Sequence, residues 1–271
     1  MYNDFYRFRE APFNITPDPR FLFFSDKHRE AFNHILFGIR ERKGFIQITG
    51  EVGAGKTTVC RAILGELPSH CRTALILNPI LTSTQLVRAI LVELGEKPKK
   101  VDRAAYLERL NAYLLDQAAQ GNDVVLFIDE AQDLGAELLE EVRLLSNLET
   151  DQRKLLQIVL IGQPELREKL NERGLRQLRQ RITVRYHLTP LSREETERYI
   201  AHRLRVAGAT DGRPTFTPWA IWAIHRYSRG VPRLINAICD KALLYGFVNG
   251  TDQLTARRIR HAVRELEGQV A

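Results

Sequence analysis

Gly50-Glu51-Val52-Gly53-Ala54-Gly55-Lys56-Thr57 decides the fold. The stretch satisfies the pattern G-x-x-x-x-G-K-[ST] without a mismatch. A short apolar run, Phe45 to Thr49, precedes it, and a helical pattern from Lys56 to Leu67, closed by Pro68, follows it. Strand, glycine-rich loop and helix in that order are the context in which this motif cradles phosphate. Gly50, Gly53 and Gly55 let backbone N–H groups turn inward around phosphate oxygens, because glycine tolerates positive φ. The helix starting near Lys56 points its positive dipole end at the anion. Lys56 adds a point charge for the β- and γ-phosphates, and the Thr57 hydroxyl is a ligand for Mg²⁺. The run Gly50, Glu51, Val52, Gly53, Ala54, Gly55, Lys56, Thr57 and Thr58 is therefore assigned to nucleotide binding, with ATP and Mg²⁺ as the expected ligands.

Outward from the loop, strand-like and helix-like runs alternate. Thr73 to Asn78, Val124 to Ile128, Leu155 to Gly162 and Ile182 to Leu188 read as further strands. Lys27 to Arg42, Ser83 to Leu94, Arg103 to Ala119 and Ala136 to Leu148 read as helices. Such alternation predicts an α/β fold, a parallel sheet with helices on both faces. After Pro190 the pattern turns helical. Ser192 and Glu195 form a capping box, Thr217-Pro218 places a cap before a proline at the first helical position, and Thr255 is a third cap candidate. No strand pattern stands out in that part. A boundary between a core of residues 1–190 and a small helical domain of residues 191–271 is expected.

The second chemical feature is Val124-Val-Leu-Phe-Ile128-Asp129-Glu130, an apolar strand ending in two carboxylates. Asp129 is placed to hold Mg²⁺ through water. Glu130 is placed to polarise an attacking water as general base. An Asp-Glu pair, with no Asn-Lys-x-Asp guanine-reading tetrapeptide anywhere, points to an ATPase rather than a small GTPase. Gln163, at the tip of the fourth strand, either contacts the γ-phosphate or the water, or is simply the residue ahead of Pro164 at a helix start. Arg176, Arg179 and Arg181 lead into the last strand. They serve either as a trans-acting arginine, with Arg181 ahead of Arg179, or as a solvated basic face. Gly230-Val-Pro-Arg233 opens a helix with a cation where the dipole disfavours one, which suggests that Arg233 has another task, such as reaching the γ-phosphate.

Composition narrows the class. The chain has 271 residues, 44% hydrophobic and 27% charged, the profile of a folded globular protein rather than a disordered one. Its 40 Lys+Arg against 33 Asp+Glu leave +7, which permits nucleic acid or an acidic membrane surface as partner without requiring either. Cys60, Cys71 and Cys239 are odd in number and scattered, fitting neither a disulfide framework nor a C-x-x-C metal pattern. No apolar run reaches the roughly 20 residues of a membrane-spanning helix. Met1 to Glu10 lack the apolar segment of a secretory signal, so a cytoplasmic location is expected.

Together, the loop, Asp129-Glu130, Gln163, the arginines before Ile182 and Gly230-Val-Pro-Arg233 resemble an AAA+ ATPase. Tyr2-Asn-Asp-Phe-Tyr6, Pro12-Phe-Asn-Ile-Thr-Pro-Asp-Pro19, Phe21-Leu-Phe-Phe-Ser25, Ile128-Asp-Glu-Ala-Gln132 and Leu160-Ile-Gly-Gln-Pro-Glu-Leu166 are more particular. They resemble the ExeA/GspA-type ATPases of the general (type II) secretion pathway, and are similar to shorter pilus-biogenesis relatives. The resemblance covers essentially the whole chain. It implies a five-stranded parallel P-loop core with a helical lid. ATP would lie between core and lid, with adenine near Asp18 to His28. Arg181 or Arg179 would act in trans in a homo-oligomer, and Arg233 would be the lid sensor. It also implies an inner-membrane secretion partner, assisting the secretin through peptidoglycan, at the cytoplasmic face of a Gram-negative inner membrane.

Two departures stand out. Secretion members usually continue into a transmembrane segment and a peptidoglycan-binding domain, so this sequence is expected to be either the cytoplasmic part of a longer protein or a short relative. Gln163 stands where many AAA+ proteins have Asn or Thr. A second resemblance is to AAA+ regulators of DNA transposition, for which Arg257, Arg260, His261 and Arg264 offer one basic helix face. A third reading is an ATP-gated scaffold with slow turnover.

Overall fold

Val124-Val-Leu-Phe-Ile128 has no polar side chain to turn toward water, so as a strand it must be covered on both sides. That requirement organises the chain. A computed structural model describes residues 2–14, 18–150, 154–209 and 212–268; Ile15, Thr16 and Pro17 of the opening motif lie outside the described residues. The elements run α1 (Tyr2–Tyr6), α2 (Asp26–Arg40), β1 (Phe45–Gly50), α3 (Lys56–Glu66), β2 (Cys71–Ile76), α4 (Ser83–Glu93), α5 (Arg103–Ala119), β3 (Asp123–Ile128), α6 (Ala136–Leu145), β4 (Gln157–Gly162), α7 (Glu165–Leu170), α8 (Arg176–Arg181) and β5 (Ile182–Leu188). They continue with α9 (Arg193–Val206), β6 (Thr215–Phe216), α10 (Pro218–Ser228), α11 (Pro232–Val248), β7 (Gln253–Leu254) and α12 (Ala256–Leu266).

The described chain forms two compact units. One comprises His28–Gly50 and Val59–Leu188; the other comprises Met1–Lys27, Glu51–Thr58 and Thr189–Ala271. The first holds a five-stranded sheet in the order β2-β3-β4-β1-β5, parallel throughout. Side chains alternate along β3 with period two. Val124, Leu126 and Ile128 join the core built with Leu86, Ile90, Leu110 and Leu139, while Val125 and Phe127 are equally buried on the opposite face. On that opposite face α2 lies so close that a Cβ on Gly38 would stand 2.8 Å from Ile46 Cδ1. The doubly covered parallel sheet expected from the alternating runs is present.

Local caps set the helix ends. Thr82 and Gln85 make a capping box on α4, and Asp102 caps α5 through the Ala105 N–H. α6 stops at Leu145 rather than Leu148, because the Ser146 hydroxyl turns back to donate to the Arg143 carbonyl at 2.6 Å.

In the second unit, α9 to α12 enclose Tyr199, Ile200, Ile224, Ile235, Cys239 and Ile259. The Ser192/Glu195 capping box and the Thr217 cap are both formed. Thr255 precedes α12 but makes no side-chain cap bond. One expectation is overturned: this unit is not free of strands, since β6 and β7 pair in parallel over two residues each. Runs that short carry no alternation to read. The N-terminal segment belongs to this unit. Arg203, buried, donates to the Pro12 carbonyl at 2.5 Å and to that of Asn14 at 3.0 Å, with its guanidinium 4.7 Å over the Phe21 ring. Among the described residues no helix is long and apolar enough to cross a membrane.

Leu126→Ala, at a fully buried position, should cost about 2–5 kcal/mol, whereas Ile80→Ala, at a position 75% exposed, should stay within about 0.5 kcal/mol. Urea midpoints at constant slope measure both.

Candidate functional site

In a parallel sheet every strand delivers its C-terminus to the same edge. Here β1, β3 and β4 release the chain at Gly50, Asp129 and Gln163 along that edge. Crevices outside the carboxyl ends of such strands are where ligands bind in open α/β sheets.

Of the three glycines expected to need positive φ, two do, while Gly50 ends β1 without it. Gly53 sits at φ +77° and Gly55 at φ +98°, conformations strained for a side chain. Lys56 is buried, and its ammonium donates to the Glu51 carbonyl at 3.1 Å, closing the loop on itself. Val52 is exposed and Ala54 buried. Thr57 and Thr58, partly buried, follow Lys56 in the first turn of α3. Left-handed glycines, amides at a helix start and an ammonium fit a polyphosphate. The Thr57 hydroxyl and the Asp129 carboxylate are hard oxygen donors of the kind Mg²⁺ takes.

Asp129 is buried, its N–H donating to the Ile76 carbonyl at 2.9 Å and one carboxylate oxygen accepting from the Glu130 N–H at 2.9 Å. Glu130 is bent into the left-handed region, φ 50° and ψ 39°. For a non-glycine residue that conformation costs about 1–3 kcal/mol and persists only where the surroundings enforce it. The surroundings are visible. The Asp133 N–H donates to the Glu130 carbonyl at 2.9 Å. The Gln132 amide donates to Glu130 Oε2 at 2.9 Å, and that of Gln163 reaches the same oxygen at 3.4 Å. Gln132 also accepts from the Gln163 backbone N–H at 2.9 Å, so one side chain ties the end of β3 to the end of β4. Lys169 pins the Gln132 backbone by donating to its carbonyl at 2.5 Å.

Gln163 is thus both the residue ahead of the α7 turn and a donor to Glu130. Gln132 is the residue sequence reasoning missed. It stands in the sequence only as the last residue of the Ile128–Gln132 stretch that carries the resemblance, with no role attached to it.

The arginines separate. Arg181 is half-buried and donates to the Ser146 hydroxyl at 2.6 Å. Arg179 is exposed and donates to the Asn171 side chain at 2.8 Å. Arg233 lies against the phosphate loop. Its N–H donates to the Gly53 carbonyl at 3.3 Å, and a Cβ on Gly53 would come within 2.5 Å of its own Cβ. α11 can begin there because Gly230, at φ +76°, makes room. A Cβ on Gly230 would stand 2.0 Å from the Leu191 carbonyl oxygen, a contact no side chain survives.

The five-stranded parallel sheet, the glycine-rich loop after β1 and the acidic end of β3 together make the P-loop NTPase/AAA fold. Residues 39–170 match the AAA domain family. The chain is similar to the General secretion pathway protein A of Aeromonas hydrophila, 46% identical over 270 residues. That similarity takes in 99% of this chain and 49% of the relative, so the chain spans about half the length of the curated relative it matches. The fold is also that of the Aeropyrum pernix ORC2 protein in its ADPNP–ADP complexes (TM-score 0.67, 17% identity, 97% of this chain and 73% of that one). Cdc6p of Pyrobaculum aerophilum superposes similarly (TM-score 0.71, 15% identity, 94% and 70%).

Behind the site, burial and then the Asp129 charge push the Cys60 thiol up to about 12. The folded state therefore holds a proton that the unfolded chain releases from about pH 8.5 upward. Stability from this group is complete below that pH and is lost as pH rises toward 12. Cys60→Ala should flatten the alkaline decline by up to about 1.4 kcal/mol per pH unit, measured by urea unfolding between about pH 9 and 11.

Proposed function

We propose that the chain is an AAA+ ATPase that hydrolyses ATP to ADP and phosphate and drives a step in secretion-apparatus assembly or transport. The observation that carries the proposal is the Glu130 carboxylate. It is held by two neutral amides at the same sheet edge from which the phosphate loop departs.

In this reading the amides of Gly50 to Thr58 and the Lys56 ammonium hold the β- and γ-phosphates. Leaving its Glu51 carbonyl is the motion Lys56 makes to do so. Thr57 and, through water, Asp129 hold Mg²⁺, which when bound offsets the charge that develops on the phosphate oxygens. Glu130 accepts the proton of the attacking water, and Gln132 and Gln163 fix the direction of its carboxylate. Arg181, with Arg179 as the alternative, reaches the site of a neighbouring copy and stabilises the transition-state charge. Arg233 reports the γ-phosphate to the helices that begin at Arg193.

Sequence similarity to the Aeromonas protein supports the cellular part: work at the cytoplasmic face of the inner membrane, with an inner-membrane partner acting toward the secretin. A link to peptidoglycan would run through segments outside this chain. A second reading, a DNA-dependent regulator, has one observation in its favour: Arg257, Arg260 and Arg264 are all exposed on α12.

Steady-state ATPase rate against protein concentration, with and without duplex DNA, separates the readings. A rate per chain that rises with concentration and ignores DNA supports the secretion-type ATPase. Dependence on DNA that is lost with salt supports the regulator. ATP binding without turnover supports the gated scaffold. Glu130→Gln should keep ATP binding and lose turnover by about 10²–10⁴-fold; equal turnover removes Glu130 from its role. Arg181→Ala should abolish the rise with concentration while leaving binding intact, and retained activity at high concentration moves the finger to Arg179.

A further inference from the structure

The scattered cysteines gave no metal pattern, yet the sheet assembles one. Cys71 opens β2 and Asp123 opens β3, and the two are direct cross-strand partners in the parallel register. Paired positions in neighbouring strands project to the same face, so the thiol and the carboxylate meet there. His70 joins them because the Asp123 N–H donates to its carbonyl at 3.1 Å, fixing the backbone just before Cys71. Its Nε2 stands 4.0 Å from Asp123 Oδ2. One ligand atom from each of the three lies within 4.8 Å of the others.

We propose that His70, Cys71 and Asp123 form a binding site for a zinc-class divalent cation at the amino-terminal edge of the sheet. The donor set selects the ion. One sulfur, one imidazole nitrogen and one carboxylate oxygen suit Zn²⁺ and exclude Mg²⁺ and Ca²⁺, which take oxygen. Three protein ligands leave the fourth tetrahedral position to water. Bonds of about 2.0–2.3 Å place zinc ligands about 3.5 Å apart. The cluster therefore closes by about 1 Å, which the exposed His70 ring supplies by rotation.

The carboxylate is already divided for the task. Oδ1 accepts from Arg42 Nε at 2.8 Å, while Oδ2 is the oxygen that faces His70. A ligating carboxylate held by a hydrogen bond on its other oxygen is the usual outer-shell arrangement of metal sites. Arg42 is a positioning residue here, and it sits at φ 50° to reach that place. The site lies at the opposite end of β3 from Asp129, about 20 Å away at about 3.3 Å per residue. It belongs to the frame of the sheet rather than to nucleotide chemistry.

The test uses untagged, metal-free protein titrated with Co²⁺ as a spectroscopic probe, then with Zn²⁺ as competitor. One equivalent of Co²⁺ should give a thiolate charge-transfer band that Zn²⁺ abolishes. Cys71→Ser should remove the band, and Cys60→Ala should keep it. His70→Ala and Asp123→Asn should each weaken binding by at least about 10-fold, and Arg42→Ala by about 10–100-fold. His70 is exposed, so its variant keeps the fold, and circular dichroism checks the others. A wild type without the band, a band that survives Cys71→Ser, or one indifferent to His70→Ala overturns the proposal.

Discussion

A parallel strand buried on both faces can place polar chemistry only at its ends. β1, β3 and β4 obey that constraint, with Ile46, Ile48, Val125, Leu126, Phe127, Val159 and Leu160 all fully covered. Polar groups accordingly stand at one edge of the sheet: Asp129 and Glu130 after Ile128 and Gln163 after Gly162, with Gly50 ending β1 along the same edge. The amino-terminal edge gathers its own set, His70, Cys71 and Asp123. Gln47, inside β1, breaks the rule. It is buried, as is Gln157 at the start of β4, and the Gln47 amide nitrogen and both polar atoms of the Gln157 side chain have no hydrogen-bond partner among the described residues. An unmade bond of that kind costs about 1–3 kcal/mol, which the surrounding apolar packing offsets.

The same constraint explains the shape of the Glu130 corner. A strand that ends in two successive carboxylates must send them different ways. Asp129 stays in line, its N–H still donating to Ile76 of the neighbouring strand. Glu130 turns left-handed and leaves the sheet plane. Amides then hold it from two sides. A lysine or arginine in those places would engage the carboxylate in an ion pair, whereas Gln132 and Gln163 hold it through neutral amides. The close approach has a steric condition as well: a Cβ on Gly162 would stand 2.9 Å from Gln132 Oε1.

Features encoded within a few residues of one another were legible in the sequence. The phosphate loop, the five sheet strands and the Ser192 and Thr217 caps each depend on local pattern. What escaped depends on register between distant segments. Gln132 reads as an ordinary polar residue until β4 lies beside β3. His70-Cys71 is a metal half-site only once Asp123 is its cross-strand neighbour. β6 and β7 are two residues each and gain their bonds from one another, with Thr217 N–H donating to the Leu254 carbonyl just beyond. Thr255 shows the converse, a residue of the right type whose side chain makes no cap bond.

Arg203 and Gly53 show how one unit is assembled from three stretches of chain. Arg203 spends its guanidinium on the carbonyls of Pro12 and Asn14, on the Tyr199 hydroxyl at 3.1 Å and on the face of Phe21. Tyr199 passes the bond on to Asn236 of α11 at 2.8 Å. α11 in turn begins at Pro232-Arg233, against Gly53 of the phosphate loop. Polar contacts therefore tie the N-terminal segment to α9 and α9 to α11, and α11 starts against the loop. The buried links, Arg203 to Pro12 and Tyr199 to Asn236, resist separation, because breaking either strands a buried polar group. The N-terminal segment and the glycine-rich loop are thus fastened to the same helices. Under the proposed function, a nucleotide that touched both would act on those helices at two points at once, and so as a whole rather than through its phosphates alone.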